Sequence, residues 1–502
     1  MQIKVQSGDI SAHRADAIVV NLFEGVTTPG GGTGAVDRAL GGAISQLIEA
    51  GDIRGKSGEF TLIHSLGRIP APRVVVAGLG KSSEFSVDKV RSVSAELARF
   101  LRRQRLKDAA VITHGAGIAG LPVEDCASAI AEGTLLGLYR FLRHKKAEED
   151  GELESLTLVE HDAAKLPALE QGVGHGRILA EATNFCRDLA NEPSNYLTPT
   201  EMAERAGELA AEAGLECEIY GPGWMSEKGM GGVLGVAAGS AQEPRFIVLR
   251  YNGAGDAKPL ALVGKGITFD TGGISIKPAA GMEEMKGDMA GGASVIAAMS
   301  AIARLHPRIN VIGIVPATEN MPGGSAIKPG DVLKTMAGKT IEVINTDAEG
   351  RLILSDGLAY AREQGAAAIV DVATLTGAIS VTLGNVAMGA MTNNAGLLDR
   401  VKKAAEAAGE RVWELPMYEE YKDLIRSDVA DMKNSGGRGA GSISAAMLLR
   451  EFVDDTPWVH LDIAGVDTYD REKGVIVKGA SGIPVRTLVN LALQSAESGT
   501  AK

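Results

Sequence analysis

Cysteine is nearly absent. Cys126, Cys186 and Cys217 match no zinc-binding spacing, and an odd number argues against a disulfide framework. The expectation is a protein of the reducing cytoplasm. Aromatic residues are scarce, at 4%, so the cores must be built from Ala, Val, Ile and Leu. No long apolar run occurs. The nearest candidate, 290–303, is too short and too interrupted by Ser and Gly to span a bilayer. The opening residues, Met1 to Asp9, carry no apolar signal core and read as a first strand. An excess of positive charge is also missing: the formal net charge of -12 disfavours a sequence-independent nucleic-acid binder. None of the eight histidines has His-Glu-x-x-His spacing, which excludes a helix-borne zinc protease of that kind. The glycine-rich stretch 229–239 lacks the Lys-Ser/Thr ending of a phosphate-binding loop, and reads as a loop near a functional site.

What is present is glycine, 64 residues in 502, together with 45% hydrophobic and 23% charged residues. That is the composition of a globular protein with many tight strand-to-helix turns, long enough for two or three domains. Residues 1–165 alternate strand and helix. The expected strands lie near Ile3–Val5, Ala17–Val20, Phe60–Ile63, Val74–Ala77, Ala110–Thr113 and Leu156–Val159, with a long helix from Val87 to Arg105. Within this segment, Gly8-Asp9-Ile10, Ala15 to Asn21 and the triple glycine Gly30–Gly32 before Ala35 to Ala39 resemble a macro domain. Charge accumulates in Lys145 to Glu152, expected as a solvated loop, and a linker is expected around Ala163 to Gln171. Residues 166–502 form a second, larger α/β domain. Apolar strands at Phe246–Tyr251, Leu260–Val263, Asn310–Val315, Ala368–Val372 and Trp458–Ile463 alternate with helices, as in a mostly parallel sheet covered on both faces.

Two charged clusters stand out in this second domain. Asn345-Thr346-Asp347-Ala348-Glu349-Gly350-Arg351 lies between the alternating Thr340–Ile344, read as a strand, and the helical Leu352–Tyr360. Upstream, Lys265 to Pro278 follows the Leu260–Val263 strand, and Met285-Lys286-Gly287-Asp288-Met289 opens a helix. Ligands of α/β folds bind where strands end and helices begin. If the strands are parallel neighbours, Asp270, Asp288, Asp347 and Glu349 converge. Four carboxylates repel, and two divalent cations such as Mn²⁺, Mg²⁺ or Zn²⁺ would offset them. Helix caps and surface turns account for the same spacing equally well.

The octapeptide Asn345 to Leu352 is the hallmark of the leucyl aminopeptidase family, cytosolic dimetal peptidases. Lys265 to Pro278, Met285 to Met289, Glu319 to Pro322, Asp371 to Ala378 and Asn191 to Asn195 resemble that family too. The resemblance implies two metal ions, Mn²⁺ or Zn²⁺. Asp270 and Glu349 would bridge them, Asp347 would bind one, and Lys265 and Asp288 the other. It makes Lys277 an electrophile for the scissile carbonyl. It makes Gly350, Arg351 and Leu352 the holders of a bicarbonate ion acting as general base. It places Met285, Thr374 and Gly377 at the substrate side chain, where leucine and other apolar residues would fit. Peptide substrates, a hexamer of two stacked trimers and a macro-like front domain are further implications. Two positions depart from the family pattern, Gly292 for a common alanine and Ile276 for a frequent leucine. A second reading, DNA binding, rests on the basic runs Arg99 to Lys107 and Arg140 to Lys146; a third, ADP-ribose binding, on Gly30–Gly32. His460, on an apolar strand, reads as a structural histidine.

Overall fold

The computed structural model describes residues 1–115, 120–146 and 151–500, with side chains described as far as 497; residues 147–150 of the charged loop lie outside that set. The described residues form two compact units, Met1–Glu181 with Arg471–Val477, and Ala182–Asp470 with Lys478–Lys502.

The first unit is built on a six-stranded sheet: β1 (Gln2–Ser7), β2 (Ala17–Leu22), β3 (Phe60–His64), β4 (Arg73–Gly78), β5 (Asp108–Ile112) and β6 (Ser155–Glu160), ordered β1-β6-β5-β2-β4-β3. All pairs are parallel except β3 with β4. Side chains alternate across a strand. Val19, Val75 and Val111 therefore enter one core with Leu97 and Leu101, while Ile18, Val20, Val74 and Val76 enter another with Val36 and Ile44. Both faces are covered, which is why β2 opens on the apolar run Ala17–Val20. The first basic run does not form a purely solvated face. Arg99 is buried and donates to the carbonyls of Gly137 (3.3 Å) and Gly474 (2.8 Å), and Arg102 donates to that of Leu138 (3.1 Å). These cations are spent on packing a helix end. The expected linker at 163–171 is a correction: a 3-10 turn, Ala163–Lys165, leads straight into one helix, Leu166–Asn191.

The second unit carries β7 (Glu216–Tyr220), β8 (Arg245–Asn252), β9 (Leu260–Gly264), β10 (Gly266–Asp270), β11 (Asn310–Asn320), β12 (Val332–Lys334), β13 (Thr340–Glu342), β14 (Ala368–Ala373), β15 (Met388–Thr392), β16 (Val412–Glu414), β17 (Met432–Lys433) and β18 (Trp458–Asp462). Nine of these make one mixed sheet, ordered β16-β15-β18-β14-β9-β11-β8-β7, with β10 also on β11. The central strands β18, β14, β9 and β11 run parallel. Helices cover both faces. A Cβ on Gly264 would lie 2.6 Å from Gly292 of the helix Ala290–Leu305, whereas a Cβ on Gly357 of the helix Gly350–Glu363 would lie 3.0 Å from Cγ1 of Val263, the next residue back. Neighbouring residues of β9 thus meet opposite layers.

Two expectations are corrected here. β13 is not a neighbour of the central strands; it belongs to a separate three-stranded sheet, β12-β13-β17. Its pattern fits a small sheet: of Thr340, Ile341 and Glu342 only Ile341 is buried, and just beyond the strand Ile344 is 43% exposed, so only one face packs. The stretch 229–239 is not a loop but contains the helix Gly231–Ala237, packed so closely that a Cβ on Gly232 would sit 2.2 Å from the Leu352 carbonyl oxygen. It is absent from the lining of the cavity described next.

Candidate active site

Four chain segments meet at the carboxyl ends of the parallel strands. Lys265 follows β9, and Asp270 ends β10, which is irregular between Ile267 and Phe269; such breaks re-aim side chains beside active sites. Asp288 ends the 3-10 turn Met282–Gly287. Asp347 and Glu349 precede the helix Gly350–Glu363. Although β13 lies in another sheet, its turn is stitched to the Asp270 turn by Thr346. The Thr346 hydroxyl donates to the Gly272 carbonyl (2.6 Å) and accepts from the Ser275 N–H (2.8 Å). Asn320, at the end of β11, donates to Asp270 Oδ1 (2.8 Å) and to the Thr346 carbonyl (3.0 Å).

The charges interlock. Lys265 Nζ lies 2.7 Å from Asp288 Oδ1 and 2.8 Å from Glu349 Oε1, and donates to the Thr374 carbonyl at 3.0 Å. Lys277 Nζ lies 2.8 Å from Asp270 Oδ2 and also contacts Asp347 Oδ1. Oxygens of Asp270, Asp347 and Glu349 come within 4.8 Å of one another. Burial opposes the charge on Lys265, but Asp288, Glu349 and Asp270 outweigh it and hold the ammonium above its ordinary pKa. Lys277 is raised in the same way, against burial, chiefly by Asp270 and Glu349. Burial, with neighbouring acids adding to it, pushes Asp288, Glu349 and Asp347 upward.

Two ammonium groups do not balance four carboxylates. Asp288 Oδ2 and Glu349 Oε2 are buried without a hydrogen-bond partner. Orphaned acceptors in an all-oxygen and lysine cluster fit divalent cations of the hard or borderline type. Close approach is built in: a Cβ on Gly350 would lie 2.7 Å from Lys265 Cε, and one on Gly272 2.9 Å from Asp347 Oδ1.

Arg351 makes no ion pair with Asp347 or Glu349. Its Nη1 donates to the Asn434 carbonyl (2.7 Å), its Nε is buried without a partner, and burial lowers its pKa to about 10. The Leu352 N–H donates to the Glu349 carbonyl (2.9 Å), so of the three residues expected around an anion, Leu352 has its donor engaged. Met285, Thr374 and Gly377 line the same cavity, of about 830 Å³, as the charged cluster. Thr374 also donates to Asp288 Oδ1 (2.8 Å), so it holds a carboxylate as well as bordering the cavity.

Sequence reasoning assigned no role to Asn434 or Asp462. Asn434 accepts from Ile344 N–H (2.8 Å) and donates to the Asn345 carbonyl (2.7 Å), holding the Asp347 turn. Asp462, buried at the end of β18, accepts from the Thr376 hydroxyl (2.7 Å) and Leu375 N–H (3.1 Å), fixing the loop that carries Thr374. Its position at the end of a central parallel strand was the available signal. His460 is fully buried with Nδ1 2.5 Å from Asp371 Oδ1, while Nε2 has no partner.

A parallel-centred α/β sheet with a buried cluster of carboxylates and lysines at its strand ends has the arrangement of a metal-dependent enzyme. Residues 184–489 match the description "Cytosol aminopeptidase family, catalytic domain", and residues 19–148 its "N-terminal domain". The chain belongs to the cytosol aminopeptidase family and is a metallo-exopeptidase. It is similar to a probable cytosol aminopeptidase of Alkaliphilus metalliredigens, 45% identical over 98% of this chain and 99% of the relative, and to one of Solibacter usitatus, 48% identical over 98% and 99%. Among solved structures, a tomato leucine aminopeptidase mutant matches with a TM-score of 0.88 and 34% identity, covering 98% of this chain and 96% of that one. The bottromycin maturation enzyme BotP in complex with Mn matches with a TM-score of 0.85 and 33% identity, covering 96% and 100%.

Proposed function

We propose that this aminopeptidase would hold two divalent cations, Mn²⁺ or Zn²⁺, on Asp270, Asp288, Asp347, Glu349 and Lys265, the last as a neutral amine once the ions replace its proton and its ion pairs with Asp288 and Glu349. The observation that carries this reading is the pair of buried, unpartnered oxygens, Asp288 Oδ2 and Glu349 Oε2, beside the Asp270, Asp347 and Glu349 cluster. Such ions supply Lewis acidity and a water ionisable near neutral pH. The chain's own groups do the rest. Lys277, held protonated, donates to the scissile carbonyl oxygen as negative charge develops there. Asn320 and the Gly272 N–H, both 2.8 Å from Asp270 Oδ1, keep that carboxylate aimed. Arg351 Nε and the backbone at Gly350 suit a planar anion, and bicarbonate bound there would have general-base chemistry.

Met285 and Thr374, with the open position at Gly377, form a wall that admits leucine and other apolar N-terminal residues of peptides. We further propose a hexamer of two stacked trimers working in the cytoplasm; among the described residues no helix is long and apolar enough to cross a membrane. The test is metal analysis coupled to hydrolysis of leucine anilide. Two ions per chain and activity only with Mn²⁺ or Zn²⁺ are expected. Glu349→Ala should lose both bound metal and activity, and full activity in that variant overturns the reading.

A further inference from the structure

The cavity beside the metal cluster contains a carboxylate that the reaction does not use. Asp467 lines it together with Met285, Thr374 and Gly377. It sits in the turn that follows β18, where its N–H donates to the Ile463 carbonyl (3.1 Å) and its carbonyl accepts from the Ser481 N–H (2.7 Å). The side chain is aimed as firmly as the backbone. Oδ1 accepts from the Gly465 N–H (3.1 Å), while Oδ2 faces Gly287, 3.7 Å from where a Cβ there would be. A residue larger than glycine at 287 would narrow the space in front of Oδ2.

The surroundings leave this charge uncompensated. Burial raises its pKa to about 6, and the charged neighbours it feels, Asp462 and Glu284, are acidic and raise it further. Lys286 lines the cavity but donates to the Asn191 carbonyl (3.2 Å), and Lys478 is exposed; neither pairs with Asp467. Asp467 is half-buried; a carboxylate partly withdrawn from water without a cation is costly, and a ligand that supplies the cation recovers that cost. Lysine and arginine side chains combine an apolar stem, which suits Met285, with a charged tip, which suits the Asp467 carboxylate lining the same cavity.

We propose that Asp467 is the specificity-determining residue of the side-chain pocket, and that the enzyme releases N-terminal lysine and arginine in preference to leucine. This rests on the reading of the cavity as the aminopeptidase site. It keeps the aminopeptidase reading and replaces its side-chain preference, because an apolar wall alone would favour leucine.

The test compares kcat/KM of the Mn²⁺-loaded full chain on the anilides of leucine, methionine, lysine and arginine at pH 8, for wild type, Asp467→Asn and Asp467→Leu. Wild type should cleave the lysine and arginine anilides faster than the leucine anilide. Both variants should lower the lysine-to-leucine ratio about tenfold or more, the scale of one charge-assisted contact. Product inhibition of wild type by free lysine against free leucine reads the same preference without any variant. Wild type that prefers leucine, with a ratio that Asp467→Asn does not move, overturns the proposal and leaves the aminopeptidase reading standing. Wild type that cleaves no anilide overturns both.

Discussion

Gly350 shows how much a single atom matters here. The residue opens a helix, where alanine would ordinarily be favoured. Yet the added methyl group would meet Lys265 Cε at 2.7 Å and Cδ at 2.9 Å. Gly350→Ala should therefore displace Lys265 from Asp288 and Glu349. We expect activity to fall by about a hundredfold, since misplacements near 1 Å have that effect, with circular dichroism unchanged. At this scale the site was legible in the sequence to the extent that chemistry shows in residue type. Acids and lysines at strand-to-helix junctions announced themselves. Asn434 and Asp462 did not, because their work is to hold backbone groups of distant turns, and no spacing within one segment reveals a partner far away in the chain. Gly292 is legible only in retrospect: a Cβ there would lie 2.7 Å from Val315 Cγ1 and 3.0 Å from the Lys265 carbonyl oxygen and Met202 Cε, so this chain's departure from alanine reflects tight packing behind Lys265.

Among the elements, the informative case is β13. Its alternation reads as a strand, and it is one, but its place in the small sheet β12-β13-β17 rather than the large one is not foreseeable from a short stretch with one buried face. The carboxylates still meet because Thr346 joins the two turns. Thr346→Val keeps the shape and removes both hydroxyl bonds, leaving the Gly272 carbonyl and Ser275 N–H without that partner. Unfolding by urea should show a loss of about 1–3 kcal/mol, and metal affinity should weaken as the Asp347 turn loosens. The central strands, by contrast, were plain in the sequence. Burial on both faces leaves continuous apolar runs, and β9 and β14 are read directly from them.

For the whole molecule, one contribution to the pH dependence of stability comes from a buried acid held by backbone N–H groups alone. Asp356 accepts from the N–H groups of Met336 (2.8 Å) and Val233 (2.9 Å), and burial raises its pKa from 3.8 to about 7. A raised folded-state pKa means that the folded chain binds the proton more tightly than the unfolded one. The contribution is complete below pH 3.8 and is lost as pH rises through about 7. Asp356→Asn cannot ionise. The stability of the variant relative to wild type should therefore increase between pH 4 and pH 8, by more than about 1 kcal/mol, whatever the offset at either end. Thermal unfolding across that range checks the slope.

The spread of the carboxylates over three chain segments has a consequence for the chain as a polymer. Asp288 and Asp347 bracket a long intervening segment, the residues from 289 to 346, which includes a helix, β11 and two strands of the small sheet. Ions held by both ends would close that segment into a loop, as a cross-link does, and closing a long loop removes more freedom from the unfolded chain than closing a short one. Cations at this site would thus be structural ties as well as reagents, and the same four carboxylates that repel one another without them become the knot.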